Sequence, residues 1–269
     1  MIRMLLCLST AFVVLAFPDA QAADPLTESP PVNLIAHRGG VVDDVHIENS
    51  LAGLKAAIDR GYWMVEADVR QSKDGQLVVH HDHDFKRFYG DDRKVADLTW
   101  GDILKIRSRI GDARPLSFAE FARACREKIR IMVDAKAYTN LDSFCAAMLE
   151  ALRENDLQDS AMFIGKPEIK ERFKGKVRVS TTREALRAAV ERGEDVAKLN
   201  FLFEHANRLD GPTIEFAESV RVPVVVSINT FHYPPATHMD QAHADIGRLK
   251  ALGVAHFQID SVYDRWLLD

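Results

Sequence analysis

Short apolar runs rich in valine and isoleucine recur along this chain, each followed by a stretch whose apolar residues fall three and four apart. The runs cover residues 32–36, 64–69, 129–134, 161–164, 177–180, 196–201, 222–228 and 255–259. Most are nearly unbroken, as expected of parallel strands covered on both faces. Helical spacing fills the intervals at 51–58, 117–126, 141–152, 183–191 and 239–252, and Ser117 with Glu120 has the spacing of a capping box. The alternation predicts an α/β protein, a single (β/α)8 TIM barrel. A doubly wound open sheet is the alternative, but no run is followed by a G-x-G-x-x-G turn.

The regularity breaks once. Lys73-Asp74-Gly75-Gln76 is a turn signal, and residues 77–80 read as a second short strand directly after 64–69. About residues 84–114 then read as a small, charged, irregular insertion after the second strand, with a helix near 100–107. In a barrel, such an insertion lies on the end that carries the chemistry.

Residues 1–22 read as a cleaved signal peptide: Arg3, an apolar stretch over 4–17 too short to span a bilayer, and the small-x-small site Ala20-Gln21-Ala22. One domain over 23–269 is expected to remain, periplasmic or secreted, without stable membrane insertion after signal cleavage. The net charge of −5 gives no case for a nucleic-acid partner. Cys125 and Cys145 belong to that domain, where two separate buried thiols are favoured over a single bridge.

The polar residues inside and just after the apolar runs carry the chemistry. Glu66 and Asp68 are two apart on a strand, so their carboxylates share a face and need a positive partner if buried. A salt bridge to arginine or lysine would serve. A third carboxylate, Asp134, ending the next run, favours a metal ion. An all-oxygen set suits one divalent cation, Ca²⁺ or Mg²⁺. Three carboxylates alone would repel a phosphate. One divalent cation together with Arg38 and Lys136 brings the site to plus one, matched to a phosphodiester monoanion. His37, ending the first run, and His81 give two groups that titrate near neutrality, as paired general acid and base require. His80 competes with His81, and strand alternation lets only one of them point inward.

The order Ala36-His37-Arg38-Gly39, Glu48-Asn49-Ser50, Glu66-Ala67-Asp68, Lys73-Asp74-Gly75 and His81-Asp82 resembles the glycerophosphodiester phosphodiesterase family. Asp97-Leu98-Thr99-Trp100, Pro115 to Glu120, Val133-Asp134-Ala135-Lys136 and Ser227-Ile228-Asn229 extend the resemblance over most of the chain. It implies metal-dependent hydrolysis of glycerophosphodiesters, small-molecule substrates, to glycerol 3-phosphate and an alcohol. Glu66, Asp68 and Asp134 would bind the metal, His37 and His81 would be the acid and base, and Arg38 and Lys136 would hold the phosphate. Glu48 would either orient the site or cap a helix, and the role of Asn229 stays open. Phe231, Tyr233 and residues 85–89 are candidates for the leaving-alcohol pocket. Asp134 stands where the family usually has a longer Glu, and Val226 where a Trp is common. Two alternatives remain: a lipid- or glycan-directed, phospholipase-like phosphodiesterase, which the charged insertion disfavours, and a non-catalytic calcium-stabilised binding protein, which the two histidines disfavour.

Overall fold

The computed structural model describes residues 31–138 and 140–268, so the expected signal peptide lies outside the described residues. Eight parallel strands form the barrel: β1 (Asn33–Ala36), β2 (Met64–Gln71), β3 (Arg130–Ala137), β4 (Met162–Ile164), β5 (Arg178–Thr181), β6 (Asn200–His205), β7 (Val224–Ile228) and β8 (His256–Ile259). Strand β1 pairs with β2 on one side and β8 on the other, which closes the cylinder.

Alternation along the strands sorts the side chains into two sets. Ile35, Met64, Met132, Met162, Phe201 and Val225 come from six different strands and form one buried cluster, the floor of the barrel interior. Their neighbours Leu34, Val65, Ile131, Val133, Val224 and Val226 belong to a larger cluster shared with the surrounding helices. Two to four residues beyond the floor, towards the carboxyl ends of the strands, the inward positions become polar. That change makes the barrel mouth the place to look for chemistry.

The helices follow their sequence signals closely. Leu51–Asp59 is capped by Ser50, and Phe118–Cys125 by the Ser117–Glu120 capping box. Cys125 and Cys145 are both free and buried, on neighbouring helices. No helix among the described residues is long and apolar enough to cross a membrane.

One expected strand is misplaced. Val196–Leu199 is a helical turn, and the strand is Asn200–His205. Val196 is apolar because it packs against the outer core, with Leu199 bonded back to the Asp195 carbonyl. The true strand was obscured because its last residues, Glu204 and His205, are polar at the barrel mouth.

The insertion is more ordered than its composition suggested. Leu77–Val79 runs antiparallel to β2 and pairs with Leu116–Ser117, while Asp84–Phe85 pairs with Asp91–Lys94. Short helices occupy Lys86–Tyr89 and Trp100–Ile103. Val78, Phe85, Tyr89, Val95 and Ile103 give this region its own small core, sealed against Ile47 of the barrel loop.

Candidate functional site

The mouth is organised by a tight turn after β1. Gly39 and Gly40 have φ of +79° and +140°, and a β-carbon at Gly40 would stand 2.2 Å from the Gly53 carbonyl oxygen. Glycine there lets the β1 loop lie against the segment holding Glu48, Asn49 and Ser50. Arg38 and Asn49 take the left-handed conformation themselves, with φ of 55° and 54°. The Asn49 N–H donates to the Arg38 carbonyl at 2.7 Å, and the Arg38 N–H donates to Glu66 Oε2 at 2.7 Å. The strain of about 1–2 kcal/mol for a non-glycine residue in this region is spent where two loops and a carboxylate are fixed together.

The three carboxylates expected to act together do converge. One oxygen from each of Glu66, Asp68 and Asp134 lies within 4.8 Å of the others. Lys136 reaches the same place, its Nζ 3.0 Å from Asp68 Oδ1 and 2.7 Å from Asp134 Oδ2. The side-chain amide of Asn49 donates to the other Asp68 oxygen at 2.8 Å. Burial and the charge of Asp68 push the Glu66 carboxyl well above the usual carboxylate range. Burial also acts to raise Asp68, but Lys136, His81, His37 and the Asn49 amide overcome it and hold that carboxyl below its ordinary value. Asp134 is raised, by burial first, against the pull of Lys136.

One ammonium therefore leaves the cluster short of positive charge. Glu66 Oε1 is buried with no hydrogen-bond partner among the described residues, and Asp68 Oδ1 has only the Lys136 ion pair without hydrogen-bond geometry. An all-oxygen, under-neutralised cluster with orphaned oxygens fits a hard divalent cation.

Both histidines that act on Asp68 are held by a carboxylate of their own. His37 Nδ1 lies 2.6 Å from Asp260 Oδ1, and His81 Nδ1 lies 2.7 Å from Asp82 Oδ1. In each ring Nε2 is then left for exchange with a ligand, the arrangement that fixes tautomer and orientation in acid/base histidines. Asp260 is anchored by the backbone N–H and hydroxyl of Thr230, and with His37 these bonds outweigh burial and hold its carboxyl down at about 2. His80 points the other way. It is buried against Phe85 and bonds the Asp84 carbonyl through Nε2 at 2.7 Å, and burial holds it neutral down to about pH 4.

Glu48 does not cap the helix, since Ser50 does that. It is buried between two arginines, accepting from Arg38 Nη1 at 2.8 Å and from Arg87 Nη2 at 2.6 Å. Arg87 also donates to Asp82 at 2.8 Å, so one guanidinium of the insertion ties Glu48 to the carboxylate behind His81. A cleft of about 390 Å³ opens beside these groups, with His37, Arg38 and Arg87 on its polar side and Phe88, Phe231 and Val262 on its apolar side. Of the aromatics considered for that role, Phe85 is instead in the insertion core and Tyr233 bonds Asp245.

Asn229, the remaining candidate, is buried on the inward face of β7's continuation. Sequence reasoning passed over Asn49, Asp82, Arg87 and Asp260 as parts of the site. Asp82 follows its histidine directly and Asp260 follows the last strand, so both were findable by position. The place of Arg87 depends on how the insertion folds back.

Residues 37–243 match the model of the glycerophosphoryl diester phosphodiesterase family. Glycerophosphodiester phosphodiesterase 1 of Mus musculus is 30% identical over 135 residues, 47% of this chain and 40% of that protein. Lysophospholipase D GDPD1 of Homo sapiens is 32% identical over 92 residues, 34% of this chain and 26% of its own length. The chain thus spans less than half the length of these relatives. A phosphodiesterase of Oleispira antarctica, solved with the product sn-glycerol-3-phosphate, superposes with a TM-score of 0.70 at 17% identity, covering 87% of this chain and 94% of that one. The barrel, the carboxylate cluster at its mouth and the family match over most of the sequence agree: the chain belongs to the glycerophosphoryl diester phosphodiesterase family.

Proposed function

We propose that this protein hydrolyses glycerophosphodiesters to glycerol 3-phosphate and an alcohol, using His37 and His81 as acid and base beside a divalent cation, Ca²⁺ or Mg²⁺. The observation that carries the reading is the pair of carboxylate-oriented imidazoles, both near enough to the Glu66, Asp68 and Asp134 cluster to stabilise the Asp68 charge. Those three carboxylates would hold the cation. A cation bound there supplies charge neutralisation at the phosphate oxygens and makes a neighbouring hydroxyl more acidic.

The chain's own groups account for the rest. Arg38, positioned by Glu48, and Lys136 bind the non-bridging phosphate oxygens. One histidine removes the proton of the glycerol 2-hydroxyl as its oxygen bonds to phosphorus. The other gives a proton to the departing alcohol oxygen as the P–O bond breaks. Water then opens the cyclic phosphate, with the two roles exchanged, and glycerol 3-phosphate leaves. Asp260 and Asp82 stabilise each imidazolium as it forms. The leaving alcohol departs into the cleft by Phe88 and Phe231.

A second reading has its own support. Phe231 is 62% exposed on that cleft, the kind of surface a lysophospholipid would use. The reading of residues 1–22 as a leader makes the enzyme an exported one with its domain starting at residue 23, which N-terminal sequencing of the expressed protein checks.

The test is product release from metal-stripped protein offered glycerophosphocholine, glycerophosphoethanolamine, glycerophosphoinositol and lysophosphatidylcholine, with and without Ca²⁺ or Mg²⁺. Cation-dependent glycerol 3-phosphate from the glycerophosphodiesters is the expected result. Choline release confined to the lysolipid moves the substrate to lipid, and inertness towards all of them ends the hydrolase reading.

A further inference from the structure

Past its two carboxylates, the inward face of β2 ends in a cation that the reaction above does not use. Glu66, Asp68 and Arg70 alternate with Val65, Ala67 and Val69, which belong to the outer core. Arg70 therefore stands on the mouth side, next after Asp68. Asp68 is paired with Asp134, so a regular ladder would set Arg70 beside Lys136. The ladder slips instead. Val69 pairs with Ala135 and Arg70 with Ala137, which leaves Lys136 as an extra residue on β3. A bulge of this kind re-aims side chains, and here it parts two like charges.

The two cations then go different ways. Lys136 turns to Asp68 and Asp134. The half-buried Arg70 lies within the fields of Asp68, Asp82, Asp134 and Asp84, yet it forms an ion pair with none of them among the described residues. It donates both Nε and Nη2 to one backbone oxygen, the His81 carbonyl, at 2.9 and 2.6 Å. A guanidinium binds a carboxylate more strongly than a neutral carbonyl. That Arg70 forgoes the stronger partner points to the place of the carbonyl as what the contact secures.

The strand that ends there shows why the carbonyl needs securing. Leu77–Val79 runs antiparallel to β2, and the last rung is the His80 N–H donating to the Asp68 carbonyl at 2.9 Å. The chain then leaves the sheet, and the His81 carbonyl accepts no backbone hydrogen bond among the described residues. Arg70 supplies the missing rung from its side chain. His81 is thus gripped at both ends, its backbone by Arg70 and its Nδ1 by Asp82 at 2.7 Å. Asp82 is the next residue in the chain, so ring and carboxylate are free to swing as one body without a further tie. The Arg70 clamp joins that pair to the strand carrying Glu66 and Asp68. It fixes where the His81 backbone lies and leaves the tilt of the ring to Asp82 and Arg87.

We infer that Arg70 is a positioning residue for hydrolysis, acting through the His81 backbone to hold that imidazole at a set distance from the carboxylate cluster. This rests on the reading of His81 as acid or base, and adds to it the tie that Asp82 alone does not provide. A small displacement of an acid/base group lowers turnover more than it lowers binding.

The experiment is steady-state hydrolysis of glycerophosphocholine by the full chain in Mg²⁺ buffer. It is paired with ¹⁵N-histidine NMR of the same variants, the His81 signal being assigned through His81→Ala. Arg70→Met should lower kcat about tenfold with KM within about twofold. Arg70→Lys, which keeps one charged donor, should recover part of the loss. In a His81→Ala background Arg70→Met should change the residual rate by less than about twofold, since nothing is left to position. The wild-type His81 ring should show one tautomer, protonated on Nδ1, and Arg70→Met a mixture. Thermal melts confirm that each variant is folded. A raised KM with kcat unchanged would make Arg70 a phosphate ligand and overturn the assignment. So would an equal loss in the His81→Ala background, or an unaltered His81 tautomer. Full turnover in His81→Ala removes the acid/base reading and this role with it. A wild type that turns nothing over, but whose His81 tautomers still mix in Arg70→Met, keeps the clamp and loses the hydrolase reading.

Discussion

The two histidines at the mouth look alike in their immediate geometry and differ in what stands behind them. His37 directly follows barrel strand β1, is 8% exposed, and leans on Asp260, a residue that follows another barrel strand and is anchored by Thr230. His81 lies in a loop beyond the Leu77–Val79 strand and leans on its sequence neighbour Asp82. That carboxylate is steadied by Arg87, which reaches across from the insertion to Glu48. One imidazole is positioned by the closed sheet, the other by a chain of ion pairs running through an appended segment. Sheet positions are stiff. Partly exposed ion pairs are worth little individually and weaken with salt. The His81 side is therefore the adjustable half of the site.

The largest effect should come from removing either ring. His37→Ala and His81→Ala are each expected to lower kcat on a glycerophosphodiester by about a thousandfold with the fold intact, in line with the 10²–10⁴ of general acid/base catalysis. Activity within tenfold of wild type in either variant would dissolve the pairing itself.

The orienting carboxylates come next and bear directly on the asymmetry. Asp260→Asn should cost about a hundredfold in kcat, and Asp82→Asn about tenfold, because Arg70 of β2 still donates to the His81 carbonyl at 2.9 and 2.6 Å. Equal losses would mean that the two walls are equivalent after all. Arg87→Ala is smaller again, about two- to fivefold in kcat/KM, the worth of a partly exposed ion pair. It should also erase most of the salt sensitivity of the wild-type rate. A salt response unchanged in the variant would argue against adjustment through Arg87.

The smallest effect on turnover is expected at His80, whose ring packs in the insertion core. His80→Phe should leave kcat within about threefold. Its signature lies in stability. The folded ring resists protonation until about pH 4, whereas the unfolded one takes a proton near 6.5. The unfolded state therefore binds more protons in that window, and stability falls as pH drops from 6.5 to 4. In the variant this component of the acid decline should be absent from Tm measured across the range. An identical decline would show that His80 is not its source.

How far the sequence could carry this picture varied with the kind of signal. Strand β2 was legible because an apolar run with Glu66 and Asp68 two apart can serve only one inward face. The same alternation allowed only one of His80 and His81 to point inward, and the resemblance of His81-Asp82 to the family's pattern chose His81. Strand β6 was misplaced because its inward residues end in His205, polar like the rest of the mouth, while Val196 is apolar for the sake of a helix. Glu48 could be read as a cap or as an orienting group, and only the placement of Ser50 and Arg87 decided between them. Arg87 itself was invisible, since an arginine in a charged insertion carries no mark of where it will fold. The carboxylates behind the histidines carry no mark of the ring each will face, and Asp260 lies 223 positions from His37.

The bond between His37 and Asp260 joins residues 223 positions apart, across the seam where β1 meets β8. Half of the proposed acid/base pair therefore lacks its orienting carboxylate until β8 has docked against β1. A chain still being made, or one that has opened only at that seam, presents a histidine without its carboxylate. The proposed competence for hydrolysis would thus wait on the docking of β8 against β1. Proteolytic loss of β7 and β8 would then silence the proposed hydrolysis while sparing Arg38 and Lys136, the groups proposed to hold the phosphate.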